Sequence, residues 1–514
     1  MGIKLGMLRV FFAVMVGIGL YCRKHATDVS GFVLGGRSVG PWLTAFAYGT
    51  SYFSAVVFVG YAGQFGWKYG IAATWAGIGN AILGSLLAWV VLGRRTRIMT
   101  QHLDSATMPE FFGKRFGSRS LKVAASVIIF IFLIPYTASL YNGLSRLFGM
   151  AFDIDYSVCV VVMAVLTGVY VIAGGYMATA INDFIQGIIM IFGIVAVIAA
   201  VLNSQGGFLA ALEGLAQVSD PEVSSAPGVF ASFFGPDPLN LLGVVVLTSL
   251  GTWGLPQMVQ KFYAIRSEKA IDTGTVISTL FAVIVAGGCY FLGGFGRLFS
   301  GQIDIAANGY DSVIPTMLSG LPDVLLAVVV VLVLSASMST LSSLVLTSSS
   351  TLTLDLLKDH VWKDMDQRRQ VFVMRCLIVV FIAISVVLAI IQYRSSVTFI
   401  AQLMGVSWGA LAGAFLAPFL FGLYWKKATK AACWTSFLFS TVFMLAVISP
   451  LKSALPALLQ SPINAGAFCM IAGLVIVPLV SLCTAKPDRA LVEEAFSCYD
   501  EKVLVRQSQA LGDK

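Results

Sequence analysis

One stretch of the chain is crowded with hydroxyls: Ser335-Ala336-Ser337-Met338-Ser339-Thr340-Leu341-Ser342-Ser343. Positions 336, 339, 340 and 343 follow the i, i+3, i+4, i+7 spacing and share one face of a helix. Hydroxyl oxygens joined by freed backbone carbonyls suit a hard monovalent cation. The same residues also serve as small packing groups, or bond back to the preceding turn. On spacing alone the packing reading stands first.

Ionisable residues in apolar sequence narrow the chemistry further. Of the 25 acids, Asp183 in Thr179-Ala180-Ile181-Asn182-Asp183 is the one expected inside a span. A buried carboxylate in a membrane marks a functional site by default, and its bland alternative is an interface residue paired with a loop arginine. The three histidines (His25, His102, His360) fall in loops, so no histidine relay crosses the membrane. Few carboxylates favour sodium over protons as the coupling ion. HExxH, GxxxxGK[ST] and facing Cys/His pairs are absent from the sequence, so no enzyme chemistry is expected.

Two helices carry interruptions that would expose backbone groups. One reads PWLTAFAYGTSYFSAVVFVGYAGQFG, with the polar run Tyr48-Gly49-Thr50-Ser51-Tyr52 at its middle. The other reads LLGVVVLTSLGTWGLPQMVQKF, interrupted at Gly251-Thr252-Trp253-Gly254-Leu255-Pro256. Glycine and proline alone also fit ordinary close packing. The matched placement, five spans apart, favours a binding site, because transporters of inverted repeats bind solute where one helix per half is unwound.

The elements that position these residues follow from composition. The 514 residues are 58% apolar and 11% charged, less than half the charge of an average soluble protein. Apolar windows long enough to span fall near 5–22, 41–66, 70–93, 121–148, 154–174, 180–202, 238–262, 270–297, 324–356, 370–392, 397–425, 430–450 and 463–483. They predict thirteen spans in an all-α polytopic membrane protein. With the N-terminus outside and the C-terminus inside, 25 of the 33 Lys and Arg face inward and seven outward, as the positive-inside rule requires. The +8 net charge is thereby explained without nucleic acid. The eight cysteines stand singly and give neither a zinc site nor a disulfide framework. One transmembrane domain over 1–484 is expected, followed by a short cytoplasmic tail, 485–514. The outer loop near 203–237 has room for a small helix at Phe208–Ala216.

Over about residues 20–440 the chain resembles the sodium/solute symporters. The resemblance rests on Phe32-Val33-Leu34-Gly35-Gly36-Arg37-Ser38-Val39-Gly40, on Ala173-Gly174-Gly175-Tyr176 leading to Asn182-Asp183-Phe184-Ile185-Gln186-Gly187, and on Met338-Ser339-Thr340-Leu341-Ser342. It implies the leucine-transporter fold, with inverted five-helix repeats near 41–202 and 238–425 and extra helices at both ends. It also implies sodium-coupled uptake of a small organic solute (an amino acid such as proline, pantothenate or a monocarboxylate) across an inner or plasma membrane.

By position, the resemblance implies a sodium site from the carbonyls of Thr50, Phe53 and Ala336 and the hydroxyls of Ser339 and Thr340, with Asp183 on the ion's exit route. It places the solute near Tyr52, Ser54, Thr252 and Trp253, with Tyr136 and Gln402 close by. Tyr52 stands where proline carriers have an aspartate, and Thr248 and Thr252 stand where they have a tryptophan and a tyrosine. Proline itself is therefore not the expectation, and a small carboxylate-bearing solute is. The partners expected are that solute, sodium and the bilayer, with no nucleic acid; the oligomeric state is left open. Rival readings are a proton-coupled carrier on the same fold and, further off, a membrane sensor or channel.

Overall fold

In hydrocarbon every backbone N–H and C=O must find a partner inside its own segment, and a run of apolar residues achieves that as a helix. The computed structural model describes residues 2–500 apart from 153–154, 225 and 396–399, and among them it is helical without strands. Two isolated bridges, Val39 with Ile265 and Asp220 with Ser224, are the only β pairings among the described residues.

Ten helices are long and apolar enough to cross a membrane, or eleven with the bent pair Pro238–Gly254 and Pro256–Ala264. The described residues of all thirteen windows are predominantly helical. The counts differ because two helical runs each cover more than one window. Val56–His102 has 47 residues and Tyr156–Ser204 has 49. A straight helix of that length would measure roughly 70 Å, against about 30 Å of hydrocarbon. Each is broken at a glycine with positive φ: Gly70 at φ 62° and Gly175 at φ 56°. Glycine alone tolerates these conformations readily. A Cβ at Gly175 would also stand 2.8 Å from the Phe32 carbonyl oxygen, and one at Gly70 2.1 Å from that of Phe230.

The helix Asp323–Thr351 is buried continuously from Val329 to Thr351 and packs on Tyr156–Ser204 and Arg119–Phe152. A helix apolar or small on every face belongs in the middle of the bundle. Both interrupted helices are indeed broken, the first just after its polar run and the second within the Gly251–Pro256 interruption. Pro41–Tyr52 stays helical through Tyr48–Tyr52 and gives way at Phe53, which is extended at φ −86°, ψ 115°. The second stays helical to Gly254, and Leu255 is extended at φ −76°, ψ 123°. Pro256 then opens a new helix at a bend of 45°. Proline forces its predecessor out of the helical region and itself suits a first helical position.

The loop near 203–237, expected outside, carries the helix Phe208–Gln217. The described start of the tail is also helical, Arg489–Asp500. It docks on the helix Arg94–His102, with the Tyr499 hydroxyl donating to the Arg95 carbonyl oxygen.

Candidate functional site

The break at Phe53 frees the carbonyls of the first broken helix, and the buried helix Asp323–Thr351 brings its hydroxyls to them. Ser339 Oγ lies 3.1 Å from Thr50 O and 3.0 Å from Ala336 O. Thr340 Oγ1 lies 3.1 Å from Thr50 O, 3.3 Å from Phe53 O and 3.1 Å from Ala336 O. All five residues are buried. Five contacts thus fall on two hydroxyls, and each hydroxyl has a single proton to donate. The remaining lone pairs face one another, and a cation among them would relieve that crowding. Ligands of a calcium-sized cation stand about 2.3–2.6 Å from it, hence roughly 3.3–3.7 Å from each other. Observed separations of 3.0–3.3 Å need only a small expansion to match.

Asp183 is fully buried, and its partner is not a loop arginine. Lys261 Nζ lies 3.8 Å from Asp183 Oδ2 and donates to Ser343 Oγ at 3.0 Å. The inward tally of 25 counts Lys261 as an inner-loop residue at the end of the 238–262 window. Lys261 is instead 2% exposed, on the second half of the second broken helix. The signal was present in the sequence: Pro256 restarts a helix, so a lysine five residues on still lies within the span. A second correction concerns Asp355. It too is buried within a span, accepting from Thr107 Oγ1 at 2.6 Å, with Lys122 Nζ at 3.4 Å.

The six residues assigned to the solute do not all meet: Ser54 and Tyr136 interact through their hydroxyls, while the others point elsewhere. Thr252 Oγ1 donates to Gly84 O at 2.8 Å, where Tyr48 Oη also donates. Half-buried Trp253 donates from Nε1 to Leu83 O at 2.8 Å, so it faces the third window. Ser54 sits at the first break and accepts from the Val56 N–H. Only the backbone of Tyr52 is described; its side chain lies outside the described part. Tyr136 stands edge-on to Trp408, centroids 5.9 Å apart, with its hydroxyl toward Ser54 and the Trp408 indole. Trp408 was not singled out in the sequence, where it is one more aromatic in an apolar helix. A Cβ on Gly251, in the second interruption, would meet its ring at 2.4 Å. Ser54, Tyr136, Gly251 and Trp408 instead gather beside the two breaks, all of them buried.

Gln402 belongs elsewhere. It lines a cavity of about 800 Å³ together with Gln64, Lys68, Asp237, Arg297 and Lys452. The three basic residues here are among those that the charge bias assigns to the outside. Arg297 is tied there to Asp220 at 2.6 Å, and that pairing holds the Asp220 carboxyl below its usual range. At the opposite end the two broken helices are latched. Val39 N donates to Ala264 O, and Arg266 N donates to Val39 O. Arg37 adds bonds to Thr100 O, to Ser105 O at 2.6 Å and to Tyr263 O at 3.2 Å.

A model of the sodium:solute symporter family matches residues 32–439. The sodium/proline symporters of Staphylococcus aureus strains JH9 and JH1 are each 30% identical over 436 residues, covering 83% of this chain and 82% of theirs. Among solved structures, a Na+-coupled sialic acid symporter in a substrate-bound outward-open state superposes with a TM-score of 0.73 at 16% identity. That match covers 95% of this chain and 99% of the other. At such identity the likeness speaks for the shared fold alone.

Proposed function

The chain belongs to the sodium:solute symporter family, and from that membership we propose that it couples inward sodium flow to the uptake of a small organic solute by alternating access. The observation that carries this reading is the cluster of three carbonyls and two hydroxyls at Thr50, Phe53, Ala336, Ser339 and Thr340. These oxygens bind sodium, and Asp183 lies on the ion's way out. Repeats over about 41–202 and 238–425 supply one broken helix each, so a rocking motion of the halves opens the site to alternate sides. The outer cavity and the inner latch at Val39, Arg37 and Ala264 fit a state open to the outside.

Among solutes, a small carboxylate-bearing molecule fits best, because unpaired helix N-termini at the breaks favour an anionic group. The relatives are named for proline, yet this chain has Tyr52, Thr248 and Thr252 where the proline carriers carry other groups. We read these differences as a pocket altered from theirs.

Uptake into proteoliposomes with an imposed sodium gradient and a potassium-diffusion potential tests the reading. With one sodium per neutral solute, a potential of about 100 mV contributes roughly 2.3 kcal/mol and a tenfold sodium gradient about 1.4 kcal/mol. Together they sustain accumulation on the order of 500-fold. Sodium-driven uptake that ignores voltage identifies an anionic solute moving with one sodium. Accumulation driven by a proton gradient with choline replacing sodium defeats the proposal in favour of the proton-coupled rival.

A further inference from the structure

The buried ion pair beside the five-oxygen cluster has a geometry of its own. Asp183 is fully buried on the helix Tyr156–Ser204, and neither of its carboxylate oxygens has a hydrogen-bond partner among the described residues. Among the described residues its cationic neighbour is Lys261 Nζ at 3.8 Å, which also stands 5.0 Å from the Tyr176 ring centroid. That ammonium donates to Ser343 Oγ at 3.0 Å, and Ser343 Oγ lies 2.9 Å from Ser51 Oγ. Ser343 is one helical turn from Ser339 and Thr340, and Ser51 follows Thr50. Ser342 Oγ, next in line, donates to the Ser339 carbonyl oxygen. The lysine head thus sits in a niche of oxygens: a carboxylate and serine hydroxyls, directly adjoining the first cluster.

A buried carboxylate within a membrane demands a neighbouring cation, since an unpaired charge there is costly. With the lysine taken away, the niche offers one full negative charge and several hydroxyls, the oxygen-only set that suits a second hard cation. With the lysine present, the single negative charge is already neutralised. A sodium ion entering the niche would face a like charge at contact distance. Building on the sodium-coupled reading above, we propose that Lys261 is a tethered cation: its ammonium takes the place beside Asp183 that a second sodium would fill, and so holds the carrier to one bound sodium. The pair also joins the two halves, because Lys261 stands on the second broken helix and Asp183 on a helix of the first half. The internal cation therefore moves with the protein and is never released.

Radioactive sodium binding to the purified full-length chain tests this without a known solute. Wild-type protein should saturate at one sodium per chain. Lys261→Met, which keeps the stem and removes the charge, should saturate at two. Lys261→Arg and the double variant Lys261→Met/Asp183→Asn should both return to one. One sodium in Lys261→Met, in protein that elutes and melts like wild type, overturns the tethered cation while leaving the sodium-coupled reading intact. Should Lys261→Met not fold, the wild type decides: two sodium ions, one of them lost in Asp183→Asn, overturn the proposal, and one supports it. No sodium bound to the wild type would instead bring down the sodium-coupled reading itself, and this proposal with it.

Discussion

A hydroxyl with one proton and several acceptors is a small residue-scale conflict, and Thr340 carries the sharper version. Its Oγ1 is within 3.3 Å of three carbonyl oxygens, whereas Ser339 Oγ reaches two. Packing of small residues would account for their burial, but not for carbonyls from two different helices converging on the same pair of hydroxyls. Removing one ligand from a dehydrated cation should cost at least about 1.4 kcal/mol, a factor of ten. Ser339→Ala and Thr340→Ala are each expected to raise the sodium concentration for half-maximal uptake tenfold or more. Thr340→Ser, which retains the oxygen, should stay near wild type. Sodium dependence unchanged in both alanine variants would return these residues to a packing role.

Between elements, the decisive contacts are close approaches that only glycine permits, and latches that close one end of the bundle. Gly251 lies against the fully buried Trp408, and an added Cβ would come within 2.4 Å of its Cε3. The ring is fully buried, so Gly251→Ala should destabilise by about 1–3 kcal/mol as overpacking does. It should also weaken solute affinity in uptake assays, while Trp253→Ala, whose indole faces Leu83, should leave affinity close to wild type. Equal losses in both would place the solute on the Trp253 side after all. At the inner latch, Arg37 holds carbonyls of Thr100, Ser105 and Tyr263 at once. Arg37→Ala should release that end. A cysteine introduced at the fully buried Ala264 is then expected to react faster with an impermeant thiol reagent in inside-out vesicles than it does in the Arg37 background.

For the molecule as a whole, the charge bias sets a sidedness that the helices alone do not. Moving Lys261 from an inner loop into the core lowers the inward tally by one and leaves the bias intact. Three of the residues this tally expects outside, Lys68, Arg297 and Lys452, line one cavity together. Opposite sides for the two termini are therefore expected. A fluorescent protein fused after Lys514 should fold and glow in the cytoplasm, and an epitope placed before Gly2 should be reached by antibody on intact cells. A cytoplasmic N-terminal epitope would mean an even number of crossings. One of the long runs broken at Gly70 or Gly175 would then cross differently from the windows 70–93 or 154–202.

Apolar windows, two interruptions and a hydroxyl-rich helix were legible in the sequence because each depends on residues near one another along the chain. Helical spacing put 336, 339 and 340 on one face, and resemblance to the sodium/solute symporters supplied Thr50 and Phe53 from another helix. Tertiary structure alone decided which of these meet. It brought three carbonyl oxygens within 3.3 Å of the two hydroxyls, separated Gln402 and Trp253 from Tyr136, and introduced Trp408. Lys261 shows the division most clearly: as a sequence letter it is one more positive charge near a span's end. Its meaning arises from Asp183, 78 positions earlier, and Ser343, 82 positions later. Contacts of that range depend on how helices pack, and no local pattern encodes them.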